Sequence, residues 1–527
     1  MFKKSMIYVW IFTFITILLN LPTAPTYAVS EKDTLIVGMQ DDTLSLDPAK
    51  AYEFVSSGII DQMYERLVTL NKNDPSRVEP QLAESWKISD DGKTWTFYLR
   101  KGVTFASGNP VNADAVVFSL GRVVKLANEV SWLLTQFGIT ESSVTKIDEY
   151  TVQTVLDDRY APGIFLSCLA IQVGSILDPK IVMEHEQDGD MGSAWLEEHS
   201  AGSGLFILEQ RKHGESYTLT QNERYWGKKP AIKQIIVKNI QEPIDQMFML
   251  EKGKIDIAWD LQPDQVRRLE TNLDVQIYET PTFDTVYVTM NQSYEPLKKP
   301  EVRDAIRYAI DYDGIIDFIL QGAAVRAQTF LPKGIFNYTP ALSYDYDLEK
   351  AKSLLTQAGY PDGFEVELAC FDYSPWIDIA IKIKSDLARV GINAKVIQMT
   401  ANQLFEKSWS REGQLTLTYW GTDYVDPDAN AKAFAHSDSP EDDATIQSVV
   451  WLTHYVNLET SKLVGQASRE LEPEKRAELY KEISDIILDD GPFAFLYSPL
   501  KQYGVRAEVR DVIGVPSFSL LYFPTLR

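Results

Sequence analysis

Apolar side chains recur along this chain in two rhythms, and the changes of rhythm mark its elements. Residues 34–38 (Thr-Leu-Ile-Val-Gly) form a short apolar run of strand type. Over residues 56–70, Ile59, Ile60, Met63 and Leu67 fall at helical spacing and predict a helix. Between 94 and 100, Trp95, Phe97 and Leu99 alternate with Thr94, Thr96 and Tyr98, the period of a half-buried strand. Trp86-Lys87-Ile88 supplies a partner strand. Residues 89–93 supply the turn, with Gly92 available for positive φ. Asn112 stands as the N-cap of a helix that carries Ala113, Val116, Val117 and Leu120.

The middle of the chain alternates strands with helices. Residues 235–237 read as a strand, 241–252 as a helix stopped by Gly253, and 255–258 as the next strand. The scheme repeats twice more. A helix over 347–358 ends at Gly359 before a strand at 364–369, and a helix over 376–390 ends at Gly391 before a strand at 394–397. Residues 415–420 form a further strand and 472–488 the last helix. Strand and helix in alternation predict an α/β protein, its sheets covered by helices. No repeat of fixed period and no Pro/Ser linker divides the chain, so domain boundaries fall at simple strand crossings.

The first residues follow a different logic. Lys3 and Lys4 precede an almost wholly apolar run from Met6 to Leu21, Pro22 and Pro25 break it, and Thr26-Tyr27-Ala28 places small residues at an exit. This is the pattern of a signal peptide cleaved after Ala28. The run is short for a membrane span of about 20 residues, and no Cys near the exit offers a lipid attachment point. Cleavage predicts a free periplasmic protein.

At 527 residues the chain is too long for one core, since cores stop growing at roughly 250–300 residues. Without residues 1–28 it carries 49 basic and 75 acidic side chains, a net of −26, which repels nucleic acid and anionic lipid. Cys168 and Cys370 each sit in an apolar run, and both are expected as buried free thiols rather than a disulfide.

The stretch from Val78 to Phe105, with Gln81-Leu82-Ala83-Glu84-Ser85-Trp86 and Asp91-Gly92-Lys93-Thr94-Trp95-Thr96-Phe97 inside it, closely resembles the signature of the family 5 extracellular solute-binding proteins. Leu46-Asp47-Pro48, residues 63–68, Gly202-Ser203-Gly204, residues 222–227, 251–256, 302–311 and 351–360, and Asp423-Tyr424-Val425-Asp426-Pro427 follow in the family's order. Leu205, where Pro is usual, Ala115 in place of an acid-Val pair, and Asn430 with its neighbours depart from the commoner pattern and leave the ligand open.

The resemblance implies a two-lobed periplasmic binding protein clamp (type II, cluster C-like) with an extra domain on the first lobe. Carried onto this chain, the first lobe is 29–75 plus 177–284 plus 497–527, the extra domain 76–176, and the second lobe 285–496. The implied function is that of the substrate-binding component of an ABC importer. It captures a di- or oligopeptide in the periplasm and delivers it to permease subunits as a monomer, without cofactor or metal. The same clamp in relatives holds haem, nickel complexes, glutathione, opines or sugars, and a periplasmic chaperone or signalling receptor would use the same fold.

Asp423 matches the family's acceptor for a peptide α-ammonium, and Tyr419, Trp420, Gly421 and Thr422 match positions that pair with peptide backbone. Asp423 also suits the bland role of organising its loop. Tyr52 and Phe54, and Tyr373 and Trp376, are aromatics placed to cover apolar ligand groups, though ordinary core packing accounts for them equally. Arg326 is a candidate partner for a ligand carboxylate. Tyr225-Trp226-Gly227 reads as packing plus a turn, and Arg303 and Arg307 as a solvated ion-pair face. An enzyme is disfavoured. The five histidines form no zinc spacing, and no nucleophile elbow or phosphate loop occurs. Asp426-x-Asp428-x-Asn430 begins like a calcium loop but has Ala431 and Ser437 where Gly and Glu are needed. Carboxylate pairs of the kind that hydrolyse glycosides stay open, since sequence gives no distances.

Overall fold

The computed structural model describes residues 33–336 and 344–510. The expected signal peptide and the end of the chain from 511 lie outside the described residues. The frame is a twelve-stranded sheet organised by one long strand, Phe493–Arg506. Its first half pairs antiparallel with Asp284–Met290 (Thr289 opposite Phe493) and with Ala324–Arg326. Its second half pairs antiparallel with Val275–Pro281 and with Ile257–Ala258. Beyond Ile257–Ala258 lie the parallel strands Thr34–Met39 and Gln234–Asn239, then Ser216–Gln221 and Phe206–Lys212. Beyond Asp284–Met290 lie Leu415–Gly421, Phe364–Phe371 and Ile392–Met399. Two peptide segments therefore carry the chain from one half of the sheet to the other: 281–284 and the middle of the long strand.

Each half has its own apolar core. One gathers Leu35, Val37, Ile59, Ile60, Leu219 and Val505. The other gathers Val288, Ile306, Leu368, Ile383, Leu417 and Leu496. Gly359 and Gly391, at φ 85° and 93°, end the helices Leu348–Gln357 and Trp376–Ala388 and let each chain turn back into its strand.

A separate four-stranded antiparallel sheet runs Ala83–Ile88, Thr94–Leu99, Thr151–Val155, Val144–Asp148 in spatial order. The alternation read from the sequence is real: Trp95, Phe97 and Leu99 are buried, and Trp95 packs edge-on to Phe165 at 5.1 Å. Asn112 accepts from the Ala115 N–H and caps Ala113–Leu126. The core beneath this sheet also takes in Tyr424, Val425 and Ala429, so it is continuous with the loop that carries Asp423.

Three expectations need correction. The helix expected over 56–70 is Phe54–Met63, and the chain is extended from Tyr64 and pairs as Val68–Asn71. The apolar period continues past Met63, but Glu65 and Arg66 are buried and polar. Glu65 accepts from Trp226 Nε1 and Ser203 Oγ, contacts that an extended backbone delivers and a helix would not. Trp226 is thus an anchor as well as packing.

Arg303 and Arg307 are not a solvated face. They are 1% and 2% exposed. Arg303 donates to the Leu297, Lys298 and Asp490 carbonyls, and Arg307 Nε donates to the Phe493 carbonyl at 3.0 Å. They bind Pro300–Ala309 to the start of the long strand, because burial without such partners would be costly. Cys168 and Cys370 are buried free thiols in different cores, as expected.

The Gly202-Ser203-Gly204 segment has a steric reason. A Cβ at Gly202 would stand 2.0 Å from the Met63 carbonyl oxygen, and one at Gly204 2.6 Å from the Gln62 oxygen. Only glycine lets this segment lie against the end of the Phe54–Met63 helix.

Candidate functional site

Four strands end at one place. Thr34–Met39, Ile257–Ala258, Phe364–Phe371 and Leu415–Gly421 each deliver a polar residue two positions past their last residue: Asp41, Asp260, Tyr373 and Asp423. All four line one chamber of about 750 Å³ between the two halves of the large sheet. Parallel strands open such a crevice at their carboxyl ends because their connections diverge to opposite faces.

Asp423 is the centre of the geometry. Tyr52, from the opposite half, donates its hydroxyl to Asp423 Oδ1 at 2.6 Å. Burial pushes the Asp423 carboxyl up to about 6, opposed by this hydrogen bond. Burial, then the carboxylate beside it, pushes the Tyr52 phenol up. Asp284 is likewise raised by burial to about 6, opposed by Thr282 and Lys501. Asp284 is opposite Gly421 in the strand register, and a Cβ on Gly421 would meet its carboxylate at 3.1 Å. Tyr419 packs with Trp376 at 5.8 Å and Phe371 at 6.2 Å, forming the aromatic wall of the chamber together with Tyr373.

A second chamber of about 530 Å³ lies on the other face of Leu415–Gly421, and Tyr419 and Asp423 line both. Strand alternation divides the work. Leu415 and Leu417 enter the core, while Thr416, Thr418 and Trp420 line the second chamber with Trp132 and Trp409. The Trp420 indole N–H is buried and has no acceptor among the described residues. The pairing of this strand with Phe364–Phe371 ends at Thr416, so Leu417–Gly421 has no strand partner on that edge among the described residues.

Of the residues singled out in the sequence, Asp423, Tyr52, Tyr419, Gly421, Tyr373 and Trp376 meet in the first chamber, and Trp420 lines the second. Two of the others, Thr422 and Arg326, do not join them. Thr422 is buried, and its one hydroxyl proton is shared between Asn430 Oδ1 at 2.8 Å and the Phe283 carbonyl at 3.0 Å, so it fixes the loop. Arg326 lines neither chamber. Its guanidinium lies against Asp313 and Asp345, donates to the Tyr344 carbonyl, and stacks 5.1 Å from the Tyr312 ring centre. Phe54 opens the helix Phe54–Met63, and its side chain lies outside what is described. The three side chains of the calcium-like run are engaged elsewhere. Asp426 receives Arg476, Asp428 receives Tyr424 and Lys432, and Asn430 receives Thr422 while donating to the Phe330 carbonyl. Asp41, Asp260, Asp284 and Lys501 escaped sequence reading. Position just past a parallel strand was the signal that could have found Asp41 and Asp260.

Residues 77–442 match the bacterial extracellular solute-binding proteins, family 5 (middle region). A probable D,D-dipeptide-binding periplasmic protein of Escherichia coli (strain K12) is 29% identical over 507 residues, 95% of each chain. The dipeptide-binding protein of the same organism is 31% identical over 475 residues, 86% of this chain and 87% of its own. Among solved structures, HbpA2 of Haemophilus parasuis superposes with a TM-score of 0.81 at 24% identity, covering 94% of this chain and 99% of that one. The periplasmic binding protein DppA of Helicobacter pylori, in complex with the peptide STSA, gives 0.73 at 26% identity, covering 92% and 96%. These matches run through both halves of the sheet and the four-stranded unit alike, and the chain belongs to family 5 of the bacterial extracellular solute-binding proteins.

Proposed function

We propose that the protein is the solute-binding component of an ABC importer and that it captures a short peptide by its α-ammonium at Asp423. One observation carries this reading: a half-buried carboxylate, raised to about 6 by burial, stands where two chambers meet and is touched by Tyr52 from the opposite half. A carboxylate so placed is short of a cation, and an ammonium supplies one with charge-assisted hydrogen bonds. The unpaired edge of Leu417–Gly421 suits an extended peptide backbone laid alongside it. Relatives named for dipeptide binding at about 30% identity support the same class.

The lobes are 29–75 with 177–284 and 497–527, against 285–496, with 76–176 as the extra domain. They hinge at the two sheet crossings. Ligand bridges the halves and shifts the population to the closed form, which docks on the permease. The protein works as a periplasmic monomer after loss of residues 1–28 and performs no chemistry on its cargo.

The test uses mature protein stripped by unfolding and refolding, then a thermal-shift screen of di- to pentapeptides. The expected result is a midpoint raised by peptide in the parent and not in Asp423→Ala. A response to haem, sugar or a nickel complex alone would keep the clamp and discard the peptide.

A further inference from the structure

The charge lining the first chamber is one-sided. Among its described lining residues are five carboxylates, Asp41, Glu53, Asp260, Asp284 and Asp423, and one cation, Lys501. Three of these six, Glu53, Asp260 and Lys501, are committed to the fold. Glu53 is consumed by the backbone N–H groups of Leu44, Ser45 and Tyr52 and by the Ser56 hydroxyl. Lys501 Nζ is 2.6 Å from Asp260 Oδ1, while Asp260 Oδ2 accepts from the Gln40 N–H at 2.7 Å. The cations of the second chamber are also matched. Lys432 is 2.8 Å from Asp428, and Arg411 is 2.8 Å from Asp442. Arg326, the arginine that the sequence offered for a ligand carboxylate, faces Asp313 and Asp345 instead.

A free ligand carboxylate would therefore enter a space in which each described cation already has a carboxylate, while Asp41, Asp284 and Asp423 have no ion pair among the described residues. Charge of that sign repels an anion and concentrates cations. Asp41 and Asp423 follow strands in opposite halves, so the attraction is spread along the chamber instead of being focused at one end.

Resting on the reading of Asp423 as the ammonium acceptor, we infer that the cleft selects ligands of net positive charge, with one cation at Asp423 and a second toward the Asp41–Asp260 edge. The ligand class is a peptide or amine whose C-terminal carboxylate is absent, masked or outnumbered by cations. A zwitterionic dipeptide is then a poor ligand despite its ammonium.

Three dipeptides of one backbone length test this by calorimetry at physiological salt: leucyl-leucine, leucyl-leucine amide and leucyl-lysine amide, of net charge 0, +1 and +2. Affinity is expected to rise in that order by about tenfold per step, a usual size for one added charge in a partly desolvated site. Asp41→Asn is expected to narrow the gap between the two amides, which attraction to the protein's overall negative charge would not do. Leucyl-leucine binding as tightly as its amide, or an unchanged gap in Asp41→Asn, overturns the inference and leaves the Asp423 reading standing. Binding of none of the three by protein with an intact melting transition, or equal binding by Asp423→Asn, overturns the Asp423 reading itself.

Discussion

Acidification from pH 7 to pH 5 is the perturbation that probes Asp423 most directly. Its carboxyl sits at about 6 in the empty protein because burial disfavours the charge, and the Tyr52 hydroxyl recovers only part of the loss. A bound ammonium favours the charged form, so the carboxyl titrates lower in the complex than in the empty protein. Binding at pH 5 therefore releases a proton, and affinity must rise with pH through the empty-state value and level off above it. With a midpoint of about 6, about nine-tenths of the carboxyl is ionised at pH 7 and about one-tenth at pH 5, so the affinity falls about tenfold from Asp423 alone. Asp284, also raised to about 6, adds a second decade if the ligand's charge reaches it. Calorimetry in two buffers of different ionisation heat counts the protons, with about one expected at pH 5 and close to none at pH 8. Tyr52→Phe removes the hydroxyl that favours the charged form and should move the inflection to higher pH. An affinity that is flat between pH 5 and 8 would refute the reasoning. An affinity that rises on acidification would show that the neutral carboxyl is the binding form.

The remaining predictions concern the fold that holds the site. The same raised value means that Asp423 contributes most to stability below about pH 4 and that this is lost as pH rises through about 6. Asp423→Asn should then stabilise the empty protein at pH 7 by about 1–2 kcal/mol, discounted for partial exposure, while abolishing binding. Urea melts at pH 7 and pH 4 check this, the gain vanishing at the lower pH. Arg122 donates to both oxygens of buried Asp47 at 2.7 and 2.6 Å, so Arg122→Met should cost about 3–5 kcal/mol by leaving a buried carboxylate without its counter-charge, held only by the Ala49 N–H and the Ser193 hydroxyl. Pairing it with Asp47→Leu should recover much of that loss in the same denaturation assay. Gly202→Ala forces a Cβ within 2.0 Å of the Met63 carbonyl and should cost about 3 kcal/mol or more. Gly214→Ala, at φ 69° with nothing within 4 Å, should cost about 1 kcal/mol.

Local pattern carried the elements wherever one face was buried. Trp95, Phe97 and Leu99 betrayed their strand because one side of it meets a core and the other does not. Gly359 and Gly391 ended helices because a left-handed residue is needed there. The pattern failed at Glu65, Arg303 and Arg307 for one reason. A polar side chain reads as exposed, and only the tertiary structure supplies the carbonyls and hydroxyls that let it be buried. The site divides the same way. Asp423, Tyr419, Trp376 and Tyr52 could be named from motif and neighbourhood. Lys501 could not, because it sits in the middle of a strand whose significance comes from linking two halves separated by more than two hundred residues of chain. Arg326 was misplaced because an arginine's partner is a matter of geometry, and Asp313 and Asp345 are simply nearer.

In the proposed clamp, closure depends on contacts that join its parts. The Tyr52–Asp423 hydrogen bond joins residues 371 apart in sequence and spans the two halves. Nearby, the Ala161 N–H donates to the Ser468 carbonyl and Arg469 donates to Asp158, which ties the unit of the four-stranded sheet to the second half. These contacts join the parts that would close, and in this arrangement burial raises Asp423 and Asp284 to about 6. Their desolvation opposes the closed state when no cation is present. A ligand ammonium removes that opposition in the closed form and has little to offset in the open one, where water already solvates the carboxylates. That difference between states is what a ligand needs in order to shift the equilibrium. The charge at Asp423 thus both holds the solute and makes closure conditional on it, whereas an apolar wall of the same shape would close on an empty chamber.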